Sequence, residues 1–373
     1  MCSTEGRVRV LWLAKGLGPG GMERLLVHHV RLGDRERFDY HAAYLVSRPN
    51  SVVPELEALG VPCVQLGSGR GALRWVGELT ALVRDRRIDV VHTHSPMPAA
   101  LARPALRLRH PRRRPRLVYT EHNTWDCYGR ATRLANLVTF PLDDAQFSVS
   151  AAAASSPPGP LAKRVEVLTH GIDLAQVRAA RGRRDGMRQE LGVEPGTVVV
   201  LTVANLRTEK AYDVLLAAAA RVLERHRDVV FLSVGQGPMM EPMRALHHTL
   251  GLGERFRFLG FRDDVAGLLA ASDVFCLASR QEGLPVAFME AAALGVPAVV
   301  TAVGGLPDAV VDGESGLLVA PEDPERLADA LGTVIDDTGL RARLAAGAAV
   351  AGDRFDARAA IRRQEAVYAK LAR

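Results

Sequence analysis

Two glutamates flank a Gly-Leu-Pro turn in the stretch SRQEGLPVAFMEAAALGVPAVVT, residues 279–301. Pro285 suits the first position of a helix, which predicts Glu282 in the preceding loop and Glu290 about a turn and a half into the helix. Each carboxylate can then reach a different part of one ligand, because an ionised carboxylate accepts hydroxyl hydrogen bonds well. A structural reading is equally open, with Glu282 favoured near a helix N-terminus and Glu290 an exposed helical residue.

Two cations follow another strand-like run, in NLRTEKAYD at residues 205–213. Arg207 and Lys210 come straight after the strand, where cations can neutralise a diphosphate, and arginine can hold two oxygens at once. On their own, an arginine and a lysine in a loop are usually solvated. The pattern therefore predicts a diphosphate site only if the surrounding loops converge on it.

Glycine-bearing turns also occur between strands and helices. The first is KGLGPGGMER (15–24), and another is TAVGGLPDAV (301–310), in which Gly304 and Gly305 precede a helix start at Pro307. Backbone amides in such turns can approach an anion at the positive end of a helix. The first turn reads GxGxGG, so it does not support a dinucleotide fingerprint, and a tight turn with no ligand fits it as well.

Strand-like runs alternate with helical patterns, which predicts parallel sheets joined by crossover helices. Two series of such runs predict two doubly wound α/β domains in tandem, with ligands in a cleft at the carboxyl-end loops. The predicted boundaries are 1–172, 173–353 and a last helix, 354–373, packed back on the first domain. The predicted strands are 8–14, 40–46, 61–66, 89–94, 116–122, 145–150, 165–170, 197–206, 228–235, 255–261, 273–279 and 297–303.

Composition excludes several classes of protein. The 373 residues are 48% hydrophobic and 24% charged, which is typical of a soluble globular protein. We see neither a signal-peptide pattern nor an apolar run near the ~20 residues that span a bilayer, so a cytoplasmic protein is expected. The four cysteines have no metal-ligand spacing and predict neither a disulfide framework nor a zinc site.

The excess positive charge behind the net charge of +6 is concentrated in one segment. Residues Arg103–Arg116, RPALRLRHPRRRPR, contain seven arginines and no acid, which leaves 6 − 7 = −1 for the rest of the chain. Such a block can contact phosphates or an anionic membrane at its periphery, and a solvated loop is the alternative. It contains no aromatic residue on which bases could stack, so nucleic acid is not an expected partner.

The residues now support a family resemblance. The stretch EGLPVAFMEAAALGVPAVVTAVGGLPDAVVDGESGLLV resembles the donor-binding signature of retaining glycosyltransferases of family 4. Further pieces occur in the family's order along nearly the whole chain: GLGPGGMER, DVVHTHSP, VYTEHN, LTHGID and SVGQGP. The resemblance implies the GT-B fold, in which two Rossmann-like domains face a cleft and the second holds a nucleotide sugar.

The resemblance also implies ligand contacts for the glutamate stretch. Glu290 would bind the ribose, and Glu282 would hold the donor sugar together with the backbone of Gly283 and Leu284 and the adjoining Pro285. Gly304 and Gly305 would contribute to the same donor site.

Lys210 and a nearby arginine would hold the diphosphate. Here the chain departs from the family pattern, which has Gly-Arg-Leu before the lysine and glycine after it. Asn205 occupies the usual arginine position and Ala211 the glycine position. Whether Arg207 replaces the missing arginine is left open by the sequence.

Other contacts follow from the resemblance. The turn Gly260-Phe261-Arg262 would contact the base through its backbone. Gly20 and Gly21 would face the diphosphate or the acceptor from the first domain.

Histidines and aromatic residues complete the implied site. His122 matches the family histidine near the transferring carbon, whereas His170 replaces an asparagine and is read as structural. The acceptor candidates are His94, Trp125 and Tyr128, because the first-domain loops determine the acceptor.

The implied reaction is transfer of a hexosyl group from a nucleotide sugar, UDP rather than GDP, to an acceptor hydroxyl with retention of configuration. Small-molecule, lipid-linked and saccharide acceptors all fit. No DxD motif occurs, so neither a metal nor another cofactor is expected. A nucleotide-sugar epimerase of the same fold and a non-catalytic binding protein are the alternatives.

Overall fold

The computed structural model describes residues 6–68, 73–109 and 114–373. The chain divides into two compact units, one formed by Met1–Gly171 with Ala357–Arg373 and the other by Ile172–Asp356. Each unit contains its own parallel sheet. Among the described residues, no helix is both long and apolar enough to cross a membrane.

The first unit is built on a seven-stranded parallel sheet. Its strands are rich in valine and other apolar residues, and side chains on both faces are buried, as expected for a parallel sheet covered by helices. The strand order is β3-β2-β1-β4-β5-β6-β7. The strands are β1 (Val8–Gly16), β2 (Phe38–Val46), β3 (Cys63–Gln65), β4 (Val90–Thr93), β5 (Arg116–Glu121), β6 (Ala145–Ser148) and β7 (Val165–Val167).

Helices connect these strands in the order that a doubly wound sheet requires. Short 3-10 turns interrupt the connections at 125–127, 140–142 and 159–164. The α-helices are α1 (Gly21–Leu32), α2 (Val53–Ala58), α3 (Arg74–Asp85), α4 (Pro96–Arg109), α5 (Arg130–Thr139) and α6 (Ala151–Ser155).

The second unit has a six-stranded parallel sheet in the order β10-β9-β8-β11-β12-β13. Two apolar clusters cover its faces. The strands are β8 (Val198–Val203), β9 (Val229–Val234), β10 (Phe256–Gly260), β11 (Val274–Leu277), β12 (Ala298–Thr301) and β13 (Gly316–Val319). The α-helices are α7 (Leu174–Ala179), α8 (Arg184–Glu190), α9 (Tyr212–Arg225), α10 (Met240–Thr249), α11 (Val265–Ala271), α12 (Val286–Leu294), α13 (Leu306–Ala309), α14 (Pro324–Asp336) and α15 (Thr338–Gly352).

The last helix, α16 (Ala357–Ala372), belongs to the first unit. Glu365 Oε1 accepts hydrogen bonds from the Tyr40 hydroxyl at 2.7 Å and from the Asp34 amide at 2.8 Å. Arg363 makes two 2.7 Å hydrogen bonds to the carboxylate of Glu166. These polar contacts, with the buried ring of Tyr368, hold α16 against the first sheet.

The prediction of two tandem doubly wound sheets is confirmed, and each of the twelve predicted strands is present with ends shifted by a few residues. Sequence reasoning missed β13, an edge strand of four residues. Its apolar run is short and follows a glycine turn at Gly313, which has φ +76°. Such a short run is below the length at which strand periodicity is recognisable.

Each sheet changes winding direction once. In the first sheet the change lies between β1 and β4, and in the second between β8 and β11. Loops leaving these neighbouring strands diverge to opposite sides, which creates a crevice at the carboxyl edge where ligands of such folds bind.

Candidate active site

The second sheet brings Lys210 and Glu282 together at its switch point. Lys210 lies in the loop after β8 and Glu282 in the loop after β11, so two neighbouring strands present them at one edge. Lys210 Nζ lies 2.6 Å from both Glu282 Oε1 and Oε2. Their side chains are 21% and 5% exposed, respectively. Because an ammonium has three donors, the pair leaves Lys210 able to bind one further acceptor.

Other side chains fix this pair. Ser279 Oγ donates to Glu282 Oε1 at 2.7 Å, and Thr301 Oγ1 donates to the Ser279 carbonyl at 2.6 Å. Both hydroxyl-bearing residues are buried. The Glu282 carboxylate is therefore held by hydrogen bonds on a rigid sheet edge, as a preorganised ligand contact requires.

Arg280 joins the two loops and was missed by sequence reasoning. Its amide donates to the Glu209 carbonyl at 2.8 Å and its Nη1 to the Thr208 carbonyl at 2.9 Å. It also holds the Asp213 carboxylate through Nη1 at 3.0 Å and Nη2 at 2.7 Å, which raises the pKa of the guanidinium above its usual value. The available signal was an arginine directly after a buried strand, two residues before Glu282.

The turn carrying Lys210 has an unusual backbone. Ala211 lies at φ 47° and ψ 48°, in the left-handed region, and is 1% exposed. The left-handed conformation costs a residue with a Cβ about 1 kcal/mol relative to glycine. The glycine of the family pattern thus corresponds to a conformation that this chain keeps with alanine.

Arg207 is more exposed than Lys210, whereas Asn205 and Lys210 are both half-buried. The Arg207 side chain is 46% exposed, and its Nη1 lies 3.9 Å from Glu209 Oε1. The Arg207 amide donates to the Asn205 carbonyl at 2.9 Å. The structure therefore exposes the Arg207 side chain on this turn, and a contact from it to the diphosphate stays a prediction.

Helix α12 begins one residue later than predicted. Pro285 has φ −67° and ψ 129°, an extended backbone that precedes the helix, and Val286 is the first helical residue. Glu282 is confirmed in the loop, and Glu290 is the fifth residue of a helix whose other side chains are largely apolar and buried. Glu290 itself is partly exposed.

The Gly304-Gly305 turn packs on the Glu282 loop. A Cβ on Gly304, which has φ +60°, would lie 1.9 Å from the Glu282 carbonyl oxygen. The Gly305 amide donates to the Gly283 carbonyl at 2.6 Å. The Gly305 amide is therefore already used inside the protein, and a contact of this turn with a phosphate or a sugar stays a prediction. The helix at Pro307 is a four-residue segment that begins at Leu306.

The turn after β10 contains the predicted base contacts. Gly260 has φ +68°, and its carbonyl accepts from the Gly235 amide at 2.8 Å. The Phe261 ring is 37% exposed. Arg262 forms ion pairs with Asp264 at 2.6 Å and Glu190 at 2.8 Å. Because its side chain is used in these pairs, a contact with a nucleotide base would come from its backbone.

In the first unit, Gly20 and Gly21 lie where β1 passes into α1. Gly20 is the residue before the helix, with φ −80° and ψ 166°, and Gly21 is the first helical residue. A Cβ on Gly20 would lie 2.4 Å from Glu23 Oε2. Their place at the first switch point matches the expectation that they face a ligand, which stays a prediction.

Two histidines that were predicted to belong to the site contact each other. His94 follows β4, His122 follows β5, and His94 Nδ1 lies 3.2 Å from His122 Nε2. Burial, followed by the charges of neighbouring histidines, lowers the pKa of both imidazoles well below its usual value. Both rings are therefore neutral, and one N–H lies between them. A base this weak orients a ligand better than it abstracts a proton.

His94 has a second nitrogen, Nε2, which is buried without a hydrogen-bond partner among residues 6–68, 73–109 and 114–373. The His92 ring lies against His94 with centroids 4.1 Å apart and the ring planes tilted by 35°. Placing the proton on His94 Nδ1 avoids a buried, unpaired N–H, and His122 Nε2 then accepts it.

Glu121 organises the loop that carries His122. It is 1% exposed and accepts hydrogen bonds from Trp125 Nε1 at 2.9 Å, from Tyr119 Oη at 3.1 Å and from Tyr128 Oη. Sequence reasoning missed this carboxylate, although its position beside His122 and between tyrosines was a usable signal.

The same cluster corrects one expectation for the acceptor. Trp125 is 4% exposed, and its ring packs edge-on against Phe140 at 5.5 Å. It therefore offers no ring face on which an acceptor could stack. The Tyr128 hydroxyl also points inward to Glu121, although its side chain is partly exposed.

Glu121 gives a pH-dependent prediction. Burial raises its pKa to about 7, against opposing hydrogen bonds from Tyr128, Tyr119 and Trp125. The folded pKa lies above the unfolded one, so protonation stabilises the folded state fully below about pH 4.5, and this contribution of about 3 kcal/mol is lost as pH rises to about 7. Glu121→Gln should remove this slope from urea unfolding curves measured across that range.

The matched control is Glu36→Gln, which changes an exposed glutamate and should leave the pH curve of the wild type unaltered. Equal slopes for wild type and Glu121→Gln would contradict the assigned titration.

The part of the chain that the structure describes contains no group of three or more His, Cys, Asp or Glu side chains arranged to hold a metal ion. The second switch point presents the Lys210 cation and the Glu282 carboxylate. The first switch point presents the His94 imidazole and the backbone at Gly20 and Gly21.

The arginine block that the sequence indicated for membrane contact is partly buried. Arg103 is 1% exposed and paired with Asp143, and Arg107 Nη2 donates to Asp144 at 2.7 Å. Residues 110–113 of that block lie outside the described residues. The expectation that the whole block faces a membrane is wrong at Arg103, because its charge is used inside the protein.

Comparison with known proteins settles the family relationship. Residues 19–176 match the family described as Glycosyltransferase Family 4, and residues 183–350 match Glycosyl transferases group 1. Each half of the chain therefore resembles a glycosyltransferase domain. The first match lies within the first unit except for its last five residues, and the second lies within the second unit.

Curated relatives carry the same type of name. D-inositol 3-phosphate glycosyltransferase of Corynebacterium efficiens is 38% identical over 48% of this chain and 45% of that protein. The match thus spans less than half the length of that relative. An Escherichia coli protein named UDP-Gal:alpha-D-GlcNAc-diphosphoundecaprenol alpha-1,3-galactosyltransferase is 26% identical over 91% of each chain.

Solved structures confirm the predicted fold. HepE of Anabaena in complex with UDP-glucose superposes with a TM-score of 0.86 at 24% identity, over 98% of this chain and 100% of that one. WaaG, a glycosyltransferase involved in lipopolysaccharide biosynthesis, gives a TM-score of 0.76 at 18% identity, over 96% and 99%. The two glycosyltransferase domains therefore have the GT-B fold.

Proposed function

We propose that this chain is a retaining glycosyltransferase that moves a hexosyl group from a UDP-sugar to an acceptor hydroxyl. The observation that carries the proposal is the Lys210–Glu282 pair, fixed by Ser279 at the switch point of the group 1 domain. A cation and a carboxylate side by side are what a sugar diphosphate needs: the ammonium for phosphate oxygens and the carboxylate for sugar hydroxyls.

Leaving-group stabilisation accounts for the chemistry. As the bond between the anomeric carbon and the phosphate oxygen breaks, its electron pair departs with the diphosphate, and the sugar becomes oxocarbenium-like. Lys210 neutralises the developing charge, with Arg207 and backbone amides of the glycine turns, apart from that of Gly305, as further contacts. The acceptor oxygen then bonds to the anomeric carbon on the face that the diphosphate leaves, and its proton passes to a departing phosphate oxygen. Configuration is retained without a metal or another cofactor.

The remaining residues take the roles that the family resemblance implies. Glu290 binds the ribose, the backbone at Gly260 and Phe261 contacts the base, and His122, held by His94, orients the sugar. UDP is favoured because the relative from Escherichia coli is named for UDP-Gal and the Anabaena protein was solved with UDP-glucose. The acceptor is a saccharide, a small molecule or a lipid-linked sugar; the name of the Escherichia coli relative supports the last.

Thermal shift with a panel of nucleotides tests the donor. UDP and UDP-hexoses at 100 times their dissociation constant should stabilise the folded chain by ~2.7 kcal/mol. GDP-mannose at the same concentration should stabilise it less, because it is expected to bind more weakly. The shift should persist in EDTA, since no metal is required. If neither UDP nor any nucleotide sugar stabilises the chain, the proposed donor site is wrong.

Incubation with the donor alone separates transfer from epimerisation. An epimerase converts its nucleotide sugar without an acceptor, whereas a transferase leaves the sugar unchanged until an acceptor is added. The anomeric configuration of the transferred sugar, read by NMR, then tests retention.

A further inference from the structure

Arg280 connects three loops at the carboxyl edge of the second sheet. It lies two residues before Glu282, in the loop after β11. Its guanidinium contacts Asp213, which follows β8 in the chain, and Glu322, which follows β13. One side chain therefore joins segments that leave three different strands.

Every N–H group of this guanidinium has an acceptor. Nε and Nη2 donate to the two carboxylate oxygens of Glu322, Nη2 at 3.0 Å. Nη1 and Nη2 donate to those of Asp213 at 3.0 and 2.7 Å, and Nη1 also donates to the Thr208 carbonyl at 2.9 Å. A guanidinium has five N–H donors in a fixed plane, so these five bonds use all of them. Arg280 therefore holds the protein together and keeps no donor for a phosphate.

The turn that carries Lys210 is anchored by Arg280 on both sides. Before the lysine, the Thr208 carbonyl accepts from the guanidinium, and the Glu209 carbonyl accepts from the Arg280 amide at 2.8 Å. After the lysine, Asp213 lies in the first turn of α9 and is held by the same guanidinium. Because both ends of the turn are fixed, the lysine ammonium has few positions that it can occupy.

The backbone beside Lys210 needs such anchoring. Ala211 lies in the left-handed region, at φ 47° and ψ 48°. A residue with a Cβ stays in that conformation only where the surrounding structure holds it. The contacts from Arg280 reach the residues two positions before and two positions after Ala211, and they supply that constraint.

We propose that Arg280 is a positioning residue for Lys210, holding the turn from Thr208 to Asp213 so that the lysine ammonium meets the diphosphate of the bound nucleotide sugar. This role rests on the proposed transferase function, and Arg280 affects the leaving group only through Lys210. Lysine at position 280 keeps the charge but has three donors in place of five and no planar fork. Arg280→Lys should therefore keep the fold and loosen the turn.

Steady-state kinetics of Arg280→Lys measure the effect on transfer. A displacement of about 1 Å from the productive geometry costs on the order of 100-fold in rate, so kcat should fall by about 10- to 100-fold. KM for the donor should change by less than about threefold, because the lost contact forms mainly in the transition state.

A double variant shows whether Arg280 acts through Lys210. Lys210→Ala/Arg280→Lys should transfer sugar no more slowly than Lys210→Ala alone, because no ammonium is left to position. Effects that multiply in the double variant would mean that Arg280 acts on transfer by another route, and they would overturn the proposal.

Arg184 provides the matched control, because it makes the same kinds of contact at the other end of β11. Its Nη1 donates to the carbonyls of Ala270 and Ser272 at 3.0 and 2.8 Å, and its Nη2 donates to Asp273 at 2.5 Å. Arg184→Lys should lower the unfolding temperature, as Arg280→Lys does, and leave kcat unchanged. Equal kcat values for these two variants would reduce Arg280 to a stabilising contact and overturn its positioning role.

Chemical acetylation reports the position of Lys210 without relying on transfer. The 21% exposed Lys210 side chain is paired with Glu282, so it should react with acetic anhydride more slowly than the exposed Lys163. Arg280→Lys should raise the Lys210 rate severalfold and leave the Lys163 rate unchanged, as measured by peptide mass spectrometry. Should this variant not fold, Glu322→Gln changes the 54% exposed partner of the guanidinium and should give smaller effects in the same direction.

The two measurements separate this role from the proposed function. An unchanged Lys210 acetylation rate in Arg280→Lys would overturn the positioning role, whether or not the wild type transfers sugar. A raised rate together with a wild type that transfers no sugar would support the positioning of Lys210 and count against the transferase function alone.

Discussion

Replacing Lys210 by alanine should lower kcat for sugar transfer by about 10²- to 10³-fold, the loss seen when one preorganised contact to a developing oxyanion is removed. Lys210 Nζ contacts both oxygens of Glu282 at 2.6 Å and is fixed on a sheet edge, so water cannot reproduce its position at the departing diphosphate. Steady-state kinetics with the donor found in the thermal-shift panel provide the measurement.

The variant has a second effect that must be separated from the first. Without Lys210, the 5% exposed Glu282 carboxylate loses its cation and keeps Ser279 as a donor, which should also lower stability. Lys210→Ala/Glu282→Gln should recover that stability, because the amide is uncharged, while transfer stays low. Lys163→Ala, which changes an exposed lysine of the first unit, is the matched control. A kcat within about threefold of wild type for Lys210→Ala would contradict the proposed leaving-group role.

Replacing Arg103 by alanine should destabilise the chain by about 3–5 kcal/mol, the cost of leaving a buried charge without its partner. Arg103 Nε donates to Asp143 Oδ1 at 3.0 Å, and its Nη2 lies 2.9 Å from Asp143 Oδ2. The guanidinium also lies over the rings of Tyr119 at 4.8 Å and Phe140 at 5.3 Å. Urea unfolding at neutral pH measures the loss.

Two further variants sharpen this test. Arg103→Met/Asp143→Leu should recover much of the lost stability, because neither charge is then buried alone. Arg84→Ala removes an arginine whose side chain is 70% exposed, and should change stability by less than about 0.5 kcal/mol. An Arg103→Ala variant as stable as Arg84→Ala would show that the buried pair contributes little.

Much of the fold was readable from the sequence because apolar runs and glycine turns are local signals. Twelve strands were located, whereas the four-residue edge strand β13 was too short to show a period. The start of α12 was predicted one residue too early because local sequence allows two readings of Pro285. Pro285 fits both the residue before a helix and its first turn, and only the backbone ψ of 129° distinguishes the two.

The candidate site was predicted less completely. Residue types and loop positions indicated Lys210 and Glu282, and the family resemblance indicated His94 and His122. Neither predicted that the members of each pair would be in contact. Those contacts join loops 72 and 28 residues apart along the chain. Strand order brings them together, and the switch points became known only with the two sheets.

Local patterns were enough to predict the two tandem α/β domains, the glycosyltransferase resemblance and the loops that carry the candidate chemistry. Tertiary structure alone decided what each polar or apolar side chain faces. It buried Arg103 from a block that reads as a solvated basic run, and it turned the leucines of α5 outward. Burial depends on which elements pack together, and that is set by contacts between residues distant in the chain.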